Sequence, residues 1–211
     1  VSLIFSLIFV LAGLFTFNLS KANPYVELLS WKQAFANGLI LAISIVMLTT
    51  YLGIGKNKKF ENGKIAPFLA LLTVIIAFAI KGSSLVSLYL APVAFGTALI
   101  ALFVDFETAL ISSVFFSIMI SIEGGFSASI GPIIVSMIGG TVAVLRTKDV
   151  RRSIDLTKIG LTVGSVNVLL VFCYRFPFLS SPFFTKMDWS NYGWVGINGL
   201  ISALFLAGAV P

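Results

Sequence analysis

Apolar runs of membrane length, broken by short polar stretches, make up most of this chain. A spanning helix needs about 20 apolar residues, with a range of roughly 17–25. Residues 1–18, 35–54, 65–80, 85–104, 108–122, 126–145, 159–174 and 193–210 read as eight such spans, with 65–80 short for the task. The runs are continuous rather than alternating, so the pattern is that of helices and not of a transmembrane barrel. The predicted fold is therefore all-α: a polytopic transmembrane helical bundle of about eight spans. Very short turns at 81–84 and 105–107 leave neighbouring spans antiparallel.

The charges sharpen this into a topology. Lys56, Lys58, Lys59 and Lys64 surround Glu61, while Arg146, Lys148, Arg151, Arg152 and Lys158 surround Asp149 and Asp155; each cluster nets +3, which together accounts for the formal charge of +6. Short loops rich in Lys and Arg stay in the cytoplasm. Four spans separate the two clusters, so both fall on one side without adjustment, and both termini are expected to be cytoplasmic. The other basic residues, Lys21, Lys32, Lys81, Arg175 and Lys186, fall outside, offset in part by Glu27, Glu123 and Asp188.

The domain reading is one helix plus seven: 1–18, a short extracellular connection at 19–34, and a seven-helix domain at 35–211. Residues 1–18 carry no charge and no small-residue cleavage site, which favours a retained helix over a signal peptide. Residues 25–34 suit a short interfacial helix with Trp31 at headgroup level. The stretch RFPFLSSPFFTKMDWSNYGW, residues 175–194, contains two prolines that prevent one continuous helix, and reads as an aromatic loop on the outer membrane surface. The chain starts at Val1 and stops at Pro211 straight after an apolar run, as part of a larger protein would.

Composition excludes several chemistries. Hydrophobic residues make up 58% and charged residues 10% of the chain, against roughly 25% charged in an average soluble domain. No basic face is long enough to follow a nucleic-acid backbone, so the partner is the lipid bilayer of the cell membrane. Cys173 is the single cysteine and reads as a small packing residue inside a span. Histidine is absent, which removes His-based metal sites and His acid–base chemistry from this chain. No catalytic residue and no cofactor site is read here.

What remains is a short set of polar, proline and small positions. Asp105 and Glu107 mark a cytoplasmic turn, and Asp105 is placed to cap the helix that follows. Glu123 reads as a solvated carboxylate in the outer turn IEGG. Asn167 and Asn198 fall inside spans, where an amide usually bonds across to a neighbouring helix. Pro92 and Pro132 each remove a backbone hydrogen bond inside a span and permit a kink. Gly160 with Gly164, Ala94 with Ala98, and Ser136 with Gly140 are spaced for close helix approach, within a bundle or at a homodimer face. With Arg146, Arg151 and Arg152, the residues Pro92, Asp105, Glu107, Asn167 and Asn198 form the candidate signalling or structural set.

The stretch SLYLAPVAFGTALIALFVDFETALISS resembles the seven-helix region of bacterial membrane receptors with an intracellular HD hydrolase domain. Leu90, Ala91 and Pro92 match the start of a helix in that region, and Asp105 its acidic turn. The run IGGTVAVLRTKDVRRSIDLTKIGLTVGSVNVLL resembles its basic loop and the following helix with small residues and an asparagine; GLISALFLAGAVP resembles its last helix. The resemblance covers about residues 35–211. It implies a transmembrane signalling and anchoring domain in the same polypeptide as a cytoplasmic HD phosphohydrolase, which would cleave cyclic di-AMP with two metal ions. It also implies a large extracellular domain, where this chain has only residues 19–34. No HD motif lies in the chain, so no catalytic residue carries over. The alternatives are a small membrane transporter, such as a vitamin-uptake substrate-binding subunit, and a purely structural scaffold.

Overall fold

A computed structural model describes residues 65–124, 126–148, 150, 152–175 and 186–209. The first basic cluster, the spans at 1–18 and 35–54, and the connection at 19–34 lie outside the described residues. The chain divides into two compact units, Val1–Ala77 and Phe78–Pro211. Only the beginning of one helix is described from the first, so the architecture below is that of the second.

Among the described residues there are six α-helices, one short 3-10 turn and no strand: α1 (Ile65–Ser84), the turn Leu88–Leu90, α2 (Val93–Phe103), α3 (Phe106–Gly124), α4 (Phe126–Thr147), α5 (Ser153–Arg175) and α6 (Lys186–Ala209). Segments within α3, α4 and α5 are each long and apolar enough to cross a membrane, and α1, the turn with α2, and α6 supply shorter apolar stretches. The helical class expected from the sequence is present, and several boundaries differ.

The turn expected at 81–84 is helical, since α1 runs to Ser84, and the segment 85–104 is not one helix. Ser87 accepts a hydrogen bond from the Tyr89 N–H, the turn closes at Leu90, and Pro92 stands at the N-cap of α2. Pro92 is therefore not a kink inside a span; it begins one, where its missing N–H would have no intrahelical partner in any case. Pro132 does lie inside α4. The expected outer loop is shorter than 175–194, because α6 starts at Lys186 and carries Tyr192 and Trp194 onto a core of Tyr89, Val135, Val171 and Val195. Burial of the two aromatic rings offsets the cost of extending the helix into polar sequence. Cys173 is exposed near the end of α5 rather than packed.

The packing order follows from side-chain size. The helix α4 packs against α2, α3 and α5, and α5 pairs with α6. In the last pair, Gly164 faces Gly199 and Gly160 faces Ala203, so the two helices run antiparallel with their backbones in contact. A Cβ on Gly164 would lie 3.1 Å from the Gly199 Cα, and one on Gly160 would overlap the backbone of Ala203. Lipid tails are as apolar as leucine, so tight backbone packing replaces the hydrophobic drive for association.

Polarity is distributed inside out. Thr97, Ser112, Ser113, Ser117, Ser136, Asn167, Asn198 and Ser202 are buried, while Phe78, Leu145, Leu161, Leu169 and Leu204 are exposed. A bilayer accepts that exterior. Interior hydroxyls turn back onto their own helices, as in Thr97 Oγ1 to the Val93 carbonyl at 3.0 Å and Ser117 Oγ to the Ser113 carbonyl at 2.8 Å.

Gly160→Ala is expected to destabilise the α5–α6 pair by about 1–3 kcal/mol through overpacking. Gly193→Ala and Gly196→Ala, whose added Cβ would meet nothing within 4 Å, should leave stability unchanged or raise it by up to about 1 kcal/mol through helix propensity. Thermal unfolding of the purified chain in detergent compares the three.

Candidate functional site: a pinned helix break and a basic end

Two groups of candidate residues come together in the fold. The first surrounds the break before α2. A membrane interior has no water to pair backbone groups that a broken helix frees. Asn198 on α6 meets that need: its Nδ2 donates to the Tyr89 carbonyl at 2.9 Å and to the Ala91 carbonyl at 3.2 Å. Ser202, one turn further along α6, donates to Asn198 Oδ1 at 3.4 Å, which orients the amide. Asn198 thus reaches across to a neighbour as its position in a span suggests. Its partner is the irregular turn, a feature that spacing alone did not reveal. Tyr89 completes the group, with its hydroxyl 2.6 Å from where a Cβ on Gly131 of α4 would stand.

Asn167 behaves differently. It is buried on α5 against Gly139 of α4, whose added Cβ would sit 2.6 Å from its Oδ1. That oxygen has no hydrogen-bond partner among the described residues. The expectation of a bond across to a neighbouring helix is therefore not met at this oxygen, since the facing glycine offers no side chain. One helical step along, Gly140 receives Ser113 of α3 and Thr97 of α2, and Ser113 Oγ donates to the Met137 carbonyl at 3.2 Å. The small face of α4 is the seat for polar side chains from three neighbours.

The second group lies at one end of the bundle. Asp105 caps α3, with Oδ1 accepting from the Thr108 N–H and Oδ2 from the Thr108 hydroxyl, both at 2.7 Å. Glu107 is exposed in the first turn of α3. Phe106 lies beneath Lys148, whose Nζ is 3.9 Å from the ring centroid, a cation–π contact joining the acidic turn to the basic loop. Arg146 and Arg152 are exposed, and Asp155 accepts from the Arg152 N–H at 3.1 Å and from Lys158 Nζ at 2.7 Å. Arg151 lies outside the described residues. Because α5 and α6 are antiparallel, the C-terminal end of α6 also emerges beside the start of α5. The acidic turn, the basic loop and the exit of the last helix share one end.

The opposite end corrects the reading of Glu123. It is not solvated: Lys81 Nζ lies 2.8 Å from its Oε2, and its side chain is only 11% exposed. Spacing of 42 residues hid this partnership from the sequence. Among the described residues no group of His, Cys, Asp or Glu could hold a metal ion.

An inside-out helical bundle with a pinned break and charge gathered at one end defines a polytopic membrane domain. Over residues 31–211 the chain matches the family described as 7TM receptor with intracellular HD hydrolase, and it belongs to that family. The resemblance traced from residue 35 onward is borne out and begins slightly earlier. Neither a curated protein nor a solved structure matches the chain.

Asn198→Leu should cost about 1–3 kcal/mol, because it removes the amide that donates to the Tyr89 and Ala91 carbonyls. Asn167→Leu, of similar shape, removes an oxygen that is already unpartnered and should leave stability within about 0.5 kcal/mol or raise it. Denaturation of the two variants in detergent separates a working amide from an idle one.

Proposed function

We propose that this chain is the membrane signalling and anchoring domain of a receptor whose HD hydrolase follows Pro211 in the same polypeptide. The basic end faces the cytoplasm, in keeping with the retention of Lys- and Arg-rich loops on that side. Both termini then lie inside, and eight spans cross the cell membrane as one plus seven. The hydrolase cleaves cyclic di-AMP with two metal ions of its own, and this chain contributes no catalytic group. Family membership supports the receptor role.

The single observation that carries the coupling is the course of α6. It is tied near the break by Asn198 and leaves the bundle at the end that holds Asp105 and the basic loop. Toward the charged end its contact with α5 is made through Gly160, Gly164 and Gly199, which present no interlocking side chains, while Tyr192, Trp194 and Val195 pack with Val171 nearer the other end. An outside event that moves the turn Leu88–Leu90 pulls on α6 through the Asn198 amide, and α6 shifts along α5. The receptor then redistributes between two helix arrangements, and the signal must bind one of them more tightly to bias it.

A small transporter is the second reading, because transporters place substrate at interrupted helices, and the segment before α2 is interrupted. Here the freed carbonyls are already taken by Asn198. Binding of a small vitamin to the purified chain would favour this reading.

Reversing Arg151→Glu and Arg152→Glu together should change the regulated cyclic di-AMP hydrolysis of the membrane-embedded parent protein by about fivefold or more, the lower range of allosteric coupling. Unchanged regulation in a folded variant would sink the coupling role of this loop.

A further inference from the structure

Between the last turn of α4 and the first turns of α5 lies a pocket of about 460 Å³, lined by Arg146, Asp155, Lys158, Ile159, Leu161 and Thr162. We infer that this pocket binds the phosphate headgroup of an anionic phospholipid. The inference does not depend on what the receptor senses, nor on the hydrolase.

Three features carry it. The first is charge. Arg146 has no ion-pair partner among the described residues and offers a planar fork of N–H donors suited to phosphate. Lys158 brings a second cation, held in place by Asp155 at 2.7 Å yet still 68% exposed at its side chain. Asp155, which also lines the pocket, accepts from Lys158 and from the Arg152 N–H, so the lining carries two cations and one carboxylate and nets one positive charge. Thr162 donates its hydroxyl to the Lys158 carbonyl at 2.8 Å, which leaves anion binding to the two cations.

The second feature is the apolar lip. Leu161 in the pocket wall is 51% exposed, and Leu145 and Ile154, beside Arg146 and Asp155 in sequence, are 50% and 63% exposed. Such side chains face hydrocarbon in a membrane protein. A soluble phosphate would use the cations alone; a phospholipid uses the cations for its headgroup and the lip for its acyl chains. The third feature is depth. The pocket sits where apolar helix gives way to basic loop, the level at which headgroups lie, and basic pockets between helices are suited to anionic lipid.

The test is native mass spectrometry of the full chain released from detergent with phosphatidylglycerol or phosphatidylcholine of identical acyl chains. One phosphatidylglycerol should be retained per chain in preference to phosphatidylcholine. Arg146→Gln and Lys158→Gln should each weaken retention about fivefold, and together about 25-fold, at about one cation's worth of surface attraction each. Arg146→Lys keeps the charge without the planar fork and should retain more lipid than Arg146→Gln but less than the parent, whereas a merely structural role for Arg146 would be lost in both substitutions. Equal retention of the two lipids, or folded glutamine variants that retain phosphatidylglycerol normally, would overturn the site. Displacement of the lipid by inorganic phosphate at equal concentration would also overturn it, assigning the pocket to a free anion.

Discussion

Backbone polar groups buried away from water must be paired, and this structure turns on the place where the chain cannot pair them by itself. Between Ser87 and Pro92 the helical hydrogen-bond ladder is interrupted; the Ala91 carbonyl accepts from the Val93 N–H at 2.8 Å, and the Tyr89 and Ala91 carbonyls both accept from the Asn198 amide. Supplying that amide requires α6 to lie at hydrogen-bond distance from the turn. That fixes α6 against the turn. The glycines then fix α5 against α6, and the small face of α4 receives the amide of Asn167 from α5 and the hydroxyls of Ser113 and Thr97 from α3 and α2. Each step follows from a shortage: first of donors, then of side-chain bulk.

The same arrangement links architecture to a receptor's task. A helix that interlocks with its neighbour through large side chains can move only by repacking them. One stretch of the α5–α6 contact instead runs through backbone, and a groove of about 450 Å³ along it is lined by Gly160, Gly164, Ser165, Gly196 and Gly199 among others. Displacement within this stretch requires little rearrangement of side chains, while the packing of Tyr192 and Trp194 on Val171 and Val195 holds the other end of the pair. Because α6 is tethered near its middle and emerges at the charged end, movement there would be delivered where a cytoplasmic partner can read it.

Charge has separate work at the two ends. At one, Lys81 and Glu123 neutralise each other across a partly buried gap, a local clasp between helix ends. At the other, Asp105 and Asp155 are spent on capping helices. That leaves Arg146, Lys148, Arg152 and Lys158 as a cationic surface with apolar side chains beneath it. Membrane orientation and lipid recognition draw on the same electrostatics, since both rest on basic side chains at the edge of hydrocarbon.

Periodicity, length and charge clustering were enough to read the helical class, the turn at 105–107, the cap at Asp105 and the basic loop, and the resemblance of the stretches from residue 85 onward pointed to the family. These are local properties: a run of twenty apolar residues must hide its backbone in a helix whatever its neighbours do. Where a segment's fate rests on a distant partner, the sequence is silent. Span length alone could not show that Pro92 opens a helix instead of bending one, which only the resemblance suggested, because the turn before it is held in part by Asn198 from a distant helix. Nor could it distinguish Asn198 from Asn167: both are amides within spans, and only packing gave one two carbonyls and the other a glycine. The Lys81–Glu123 pair and the pocket at Arg146 and Lys158 likewise exist only once the helices have assembled, since they join side chains that no helical period brings together.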